Sequence, residues 1–122
     1  MFEVKIVETS KELTVKERVQ IKQIDSFVSL GDMKPEEAPL IDVDFFAVLA
    51  VHNDLSDTKD YELYIVKDKD GTIYKTSSTA FWQNFKSMMD ELYDSGEEYK
   101  IKTLFKESKN FKGKYYVTCA LA

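Results

Sequence analysis

The residues Ser78–Gly96, "STAFWQNFKSMMDELYDSG", decide how this chain is organised, because the apolar period changes there. Phe81, Phe85, Met88, Met89 and Leu92 recur every three to four positions, the spacing of one buried face of an α-helix. Ser78 or Thr79 offers a hydroxyl to the first unpaired amides, and Gly96 offers a stop. On either side the pattern alternates instead. Upstream, "LIDVDFFAVLAVH" (40–52), "YELYIVK" (61–67) and "TIYKTS" (72–77) read as strands rich in β-branched and aromatic side chains. The Asp70-Gly71 pair turns the second of these into the third. Downstream, "YKIKTLFK" (99–106) and "KYYVTCALA" (114–122) alternate around the turn "ESKNFKG" (107–113).

From Leu40 onward the order is strand, strand, strand, helix, strand, strand. That is the chain order of an OB-fold, a five-stranded Greek-key barrel whose helix lies between the third and fourth strands. The sequence therefore predicts a mainly β single domain, with an OB barrel core over residues 40–122 and an N-terminal extension over 1–39. Within the extension, "FEVKIV" (2–7) alternates like a strand. Thr14 and Glu17 form a capping box that opens a short helix over 14–23, although "RVQIKQI" (18–24) also alternates like a strand. "SFVSL" (26–30) reads as a further strand, and Gly31, Pro35 and Pro39 make "GDMKPEEAP" (31–39) a soft connection.

A chain of 122 residues is long enough to bury one core, and 43% hydrophobic with 32% charged residues is the balance of a globular rather than a disordered sequence. No apolar run approaches the ~20 residues that span a bilayer, and the opening "MFEVKIVETSKEL" lacks the apolar core of a signal peptide. The expectation is a cytoplasmic protein without a membrane partner. Cys119 is the sole cysteine, so no disulfide framework forms within one chain.

Charge is segregated along the sequence. Eleven acids face four lysines between Asp32 and Asp70, whereas six lysines face Glu107 alone between Lys100 and Lys114. The net charge of -5 argues against indiscriminate binding to polyanions, yet this segregation leaves room for one basic face.

The residues that could carry catalysis are few. His52 is the sole histidine and, like Cys119, has no supporting cluster in the sequence, so each is expected to be structural. "DKDG" opens like a calcium loop, but Ile73 stands where that loop needs glycine and Thr79 where it needs glutamate. Asp42 and Asp44 share a strand face and read as solvated. With no glycine-rich phosphate loop, no cofactor and no metal site is expected, and the chain reads as a binding module rather than an enzyme.

The strand faces separate more usefully. Ile101, Thr103 and Phe105 alternate with Lys100, Lys102, Leu104 and Lys106, and Tyr115, Val117, Cys119 and Leu121 alternate with Lys114, Tyr116, Thr118 and Ala120. One face belongs to the interior, and the other presents lysines around an aromatic ring. Tyr64 and Tyr74 add rings from the second and third strands, with Lys67 close by, and the lysine-rich turn adds Lys109, Phe111 and Lys112. Single-stranded nucleic acid asks for such a surface: lysines track phosphates while rings stack on bases, worth about 1–3 kcal/mol per base. Strand-edge lysines also serve simply against aggregation, but that role does not explain Phe111 and Tyr116 among them.

The stretches "VETSKELTVKERVQIK" (7–22), "YKTSSTAFWQNFKSM" (74–88) and "KESKNFKGKYYVTCAL" (106–121) together resemble the small OB-fold single-stranded DNA-binding proteins of tailed phages infecting Gram-positive bacteria. The resemblance implies a replication or recombination accessory that coats exposed strands in the host cytoplasm without sequence preference. It also implies a homodimer or larger assembly, working beside a phage recombinase. The flexible acidic tail of bacterial proteins with this function has no counterpart in "VTCALA". The alternative reading is a protein-binding or DNA-mimic module that acts through its acidic segment, residues 32–70.

Overall fold

The chain is described by a computed structural model over residues 2–53, 60–107 and 115–122. In chain order its elements are β1 (Phe2–Thr9), α1 (Val15–Gln20), β2 (Val28–Ser29), β3 (Leu40–Ile41), β4 (Val43–Asn53), β5 (Asp60–Asp68), β6 (Ile73–Thr76), α2 (Thr79–Leu92), β7 (Ile101–Glu107) and β8 (Tyr115–Leu121). The fold is mainly β, with one long helix. Among the described residues the strands form two sheets, ordered β1-β4-β5-β6-β2 and β3-β7-β8, with no closure into a barrel. The two-residue β2, all that remains of the strand expected over 26–30, takes the edge of β6 that β5 leaves open. The chain divides into two compact units, Met1–Val28 with Asp44–Ser77, and Ser29–Val43 with Ser78–Ala122.

In the first unit, alternation along β4 sends Phe45, Ala47, Leu49 and Val51 to one face of the sheet. They pack with Leu63 and Ile65 of β5, Ile73 of β6, and Leu13, Ile21, Ile24 and Phe27 from the N-terminal segment. Phe46 and Val48, on the other face of β4, are buried as well, which is why the strand reads as an apolar run rather than a clean alternation. The β5–β6 hairpin turns through Lys69, Asp70 and Gly71, with the Asp68 amide donating to the Thr72 carbonyl (2.8 Å) and Gly71 at φ +100°. Only glycine adopts that φ without strain, so the Asp-Gly signal marks the turn for a physical reason.

The helix reading of 14–23 prevails over the strand reading, in a shorter form. The Glu17 amide donates to the Thr14 hydroxyl (3.2 Å), and the Thr14 amide donates to the Glu17 carboxylate (3.0 Å). Chiefly because of the Thr14 amide, and then the nearby Lys11 ammonium, the Glu17 carboxyl is held below its ordinary range. Among the described residues the alternation of "RVQIKQI" has no sheet partner to serve. Val19 instead stays on an exposed helix surface, and Ile21 caps the helix and is buried.

In the second unit, α2 lies along β8. The Ser78 hydroxyl accepts from the Phe81 amide (3.2 Å), capping the helix, and donates to the Val117 carbonyl of β8 (2.7 Å). Asn84 donates to the Thr118 hydroxyl (2.7 Å), and the Cys119 thiol sits 3.4 Å from the Phe81 carbonyl. Phe81, Phe85 and Met89 form the buried stripe of the helix, as their spacing predicts. Trp82 stacks on Phe85 with ring centres 5.5 Å apart.

Candidate nucleic-acid interface

The register of β7 on β8 sets the geometry of the lysine-bearing face. Lys106 lies opposite Tyr116, Leu104 opposite Thr118 and Lys102 opposite Ala120, all on one side of the sheet. β3 extends the last row by placing Leu40 opposite Lys102. Lys100 continues the track, since its carbonyl accepts from the Ala122 amide (2.9 Å) one step beyond the strand. At ~3.3 Å per residue, Lys100, Lys102 and Lys106 run along about 20 Å of one strand. All three are exposed, as are Leu40 (52%) and Tyr116 (40%).

This face is not open throughout. Thr118 is buried beneath its hydrogen bond from Asn84, and Leu104 beside it is half-buried. The middle row is therefore closed, and the exposed side chains fall into a Lys106–Tyr116 end and a Leu40–Lys102 end. On the opposite side of the sheet, Tyr115 departs from expectation. Alternation assigned it to the interior, yet it lies opposite Glu107 and is 60% exposed, because the strands run on past the buried rows of Val117 and Cys119. Tyr115 is the ring that alternation alone missed, and its place beside the turn was the available signal. Leu121, at the other end of β8, is 50% exposed although its partner Ile101 is fully buried.

The residues expected from the second and third strands belong to the other sheet, in the first unit. Tyr64 is 8% exposed, and burial, followed by the charge of Glu62, raises its phenol above the ordinary range. Little ring is left there for a base to stack on. Tyr74 is half-buried, its phenol raised first by burial and then by Asp68 and Asp70. In the β5–β6 ladder the tyrosines occupy the rows Tyr64–Thr76 and Val66–Tyr74, whereas Lys67 and Lys75 occupy the alternate rows. Strand alternation thus sends Lys67 to the side opposite both tyrosines. There its ammonium lies 5.5 Å from the Phe45 ring centre and 4.0 Å from Asp44, so its stem covers the core edge. Lys75 donates to the Ile24 carbonyl (2.9 Å). Lys109, Phe111, Lys112 and Lys114 lie outside the described residues.

His52 places Nδ1 2.6 Å from Asp60 Oδ1, beside an open groove of about 680 Å³ lined by Glu3, Lys5, Tyr61 and Glu62. Among the described residues no three His, Cys, Asp or Glu side chains converge as metal ligands. Burial pushes the Cys119 thiol up to about 12, far from the range of a nucleophile. Against known families, characterised proteins and solved structures, the chain has no match.

Proposed function

We propose that this chain binds single-stranded DNA without sequence preference, acting as a phage replication or recombination accessory and working by binding rather than catalysis. The observation that carries the reading is the pairing of exposed Lys106 with exposed Tyr116 across β7 and β8, on the face that also presents Lys100 and Lys102. A ring beside a lysine track offers stacking and charge together, the combination that an unpaired strand can use and a duplex cannot. Tyr116, Lys100, Lys102 and Lys106 hold the strand in this reading, with the turn residues Lys109, Phe111, Lys112 and Lys114 continuing the site. Tyr64 and Lys67 are left to the core.

Two features of the chain order support the reading. The segment Leu40–Asn53 breaks at Asp42 and contributes to both sheets, β3 pairing with β7 and β4 with β1. With β3 and β4 counted as one interrupted strand, the α2 helix follows the third strand of the 40–122 core and precedes the fourth, the chain order of OB-folds.

The test is fluorescence anisotropy with a labelled thymine 30-mer and a matching duplex across a range of salt. The six lysines of this reading give a logarithmic salt slope of about 4 on the single strand, with the duplex much weaker. Negligible single-strand binding at low salt overturns the proposal and directs attention to a protein partner for the acidic segment 32–70.

A further inference from the structure

Among the described strands, β1 is an edge of the five-stranded sheet, with β4 on one side only. An unpaired strand edge is a template for another strand, and proteins usually blunt it with charge, proline or a bulge. Here the bulge sits late. Pairing with β4 is regular from Phe2 through Ile6 and shifts only between Ile6 and Glu8, where Val7 stands out 59% exposed. The regular part is five residues long, and its centre is Val4. Glu3 and Lys5 flank that centre on the solvent side, while Val4 and Ile6 pack against the core.

That pattern is its own complement. If a second β1 runs antiparallel with the two-fold axis at Val4, each Glu3 lies opposite a Lys5 and each Lys5 opposite a Glu3, with Val4 facing Val4 over the core side. Opposite charges directly across a pair of strands attract, and like charges repel. Shifting the pairing by two residues in either direction loses both contacts and sets Lys5 against Lys5 or Glu3 against Glu3, so charge fixes the register as well as the partner. Of the other charged groups on this side, Glu62 and Asp60 line the same groove as Glu3 and Lys5, and His52 is engaged with Asp60.

We infer that two copies of this chain associate through antiparallel pairing of residues 2–6 of β1, centred on Val4 and fixed by reciprocal Glu3–Lys5 ion pairs. The β7–β8 face plays no part in this inference, so DNA binding and association can fail independently.

Sedimentation of the full chain over a range of micromolar concentrations tests it through charge exchange. Glu3→Lys sets lysine against lysine and Lys5→Glu sets glutamate against glutamate, so each variant alone dissociates about tenfold more readily than the parent. Mixing the two restores association, solely as the heterodimer, because every charge then meets its opposite. The lysine introduced at position 3 of one copy faces the glutamate introduced at position 5 of the other, and the unchanged Lys5 faces the unchanged Glu3. This rescue could not arise if either variant merely failed to fold. Independently, Val4→Cys brings two thiols within the 4.4–6.8 Å Cα separation of a disulfide and yields a covalent dimer on mild oxidation. A monomeric parent chain at these concentrations, or dimers indifferent to both charge reversals, overturns the inference, as does a mixture no more associated than its components.

Discussion

Ser78 joins the helix to the second sheet, and its removal can be sized from two hydrogen bonds. Ser78→Ala deletes the acceptor of the Phe81 amide and the donor to the Val117 carbonyl. Loss of an N-cap costs about 1 kcal/mol. Leaving a carbonyl of a buried residue without its donor costs about 1–3 kcal/mol, and the half-buried Ser78 position admits enough water to favour the lower end. The sum is about 2 kcal/mol. Trp82, one turn into the same helix and stacked on Phe85, is the natural reporter for urea unfolding. With a slope near 2 kcal/mol per molar, typical of small proteins, the midpoint falls by about 1 M. Ser78→Asp divides the effect: a carboxylate still caps the helix but cannot donate to Val117, so it loses about half as much. The reasoning is refuted if Ser78→Ala unfolds within ~0.3 M of the parent, or if Ser78→Asp matches the parent.

Gly71→Ala meets no atom within 4 Å, so its cost is that of holding alanine at φ +100°, about 1–2 kcal/mol by urea titration, with the β5–β6 hairpin loosened. Cys119 gives an alkaline signature. The folded thiol keeps its proton up to about 12 while the unfolded one loses it near 9, so its stabilising contribution is whole below pH 9 and is lost as pH rises toward 12. Comparison of the parent with Cys119→Ala should show their unfolding midpoints converging as pH rises from 9 toward 12, and Ellman's reagent at pH 8 should label the thiol only once urea unfolds the chain. On DNA, Lys102→Ala and Lys106→Ala each flatten the salt slope by about 0.7. Tyr116→Ala instead weakens single-strand binding about tenfold at every salt concentration.

Local chemistry was legible wherever it is self-contained. The capping box of Thr14 and Glu17, the glycine turn at Asp70-Gly71 and the Phe81–Phe85–Met89 stripe each involve residues within a few positions of one another, so the chain alone specifies them. The face carrying Lys102, Lys106 and Tyr116 was legible for the same reason, since alternation fixes which side chains share a side. Pairwise register was not. Which lysine lies opposite Tyr116, and that Asn84 closes the row at Thr118, depend on contacts between residues far apart in the sequence.

Alternation also says nothing of how far a buried face extends, which is why Tyr115 and Leu121 fell on the interior side of the pattern yet stand exposed at the strand ends. It placed Lys67 and Tyr74 as neighbours, and it takes the β5–β6 register to show them on opposite sides. The main elements, and the side of its strand or helix on which each residue stands, follow from backbone period and short-range hydrogen bonds, so the order of amino acids is enough to specify them. Burial and pairing are different, because they belong to partners brought together from distant parts of the chain. The folded arrangement alone buries Tyr64, sets Lys67 against Phe45 and Asp44, and leaves β1 at an edge among the described strands.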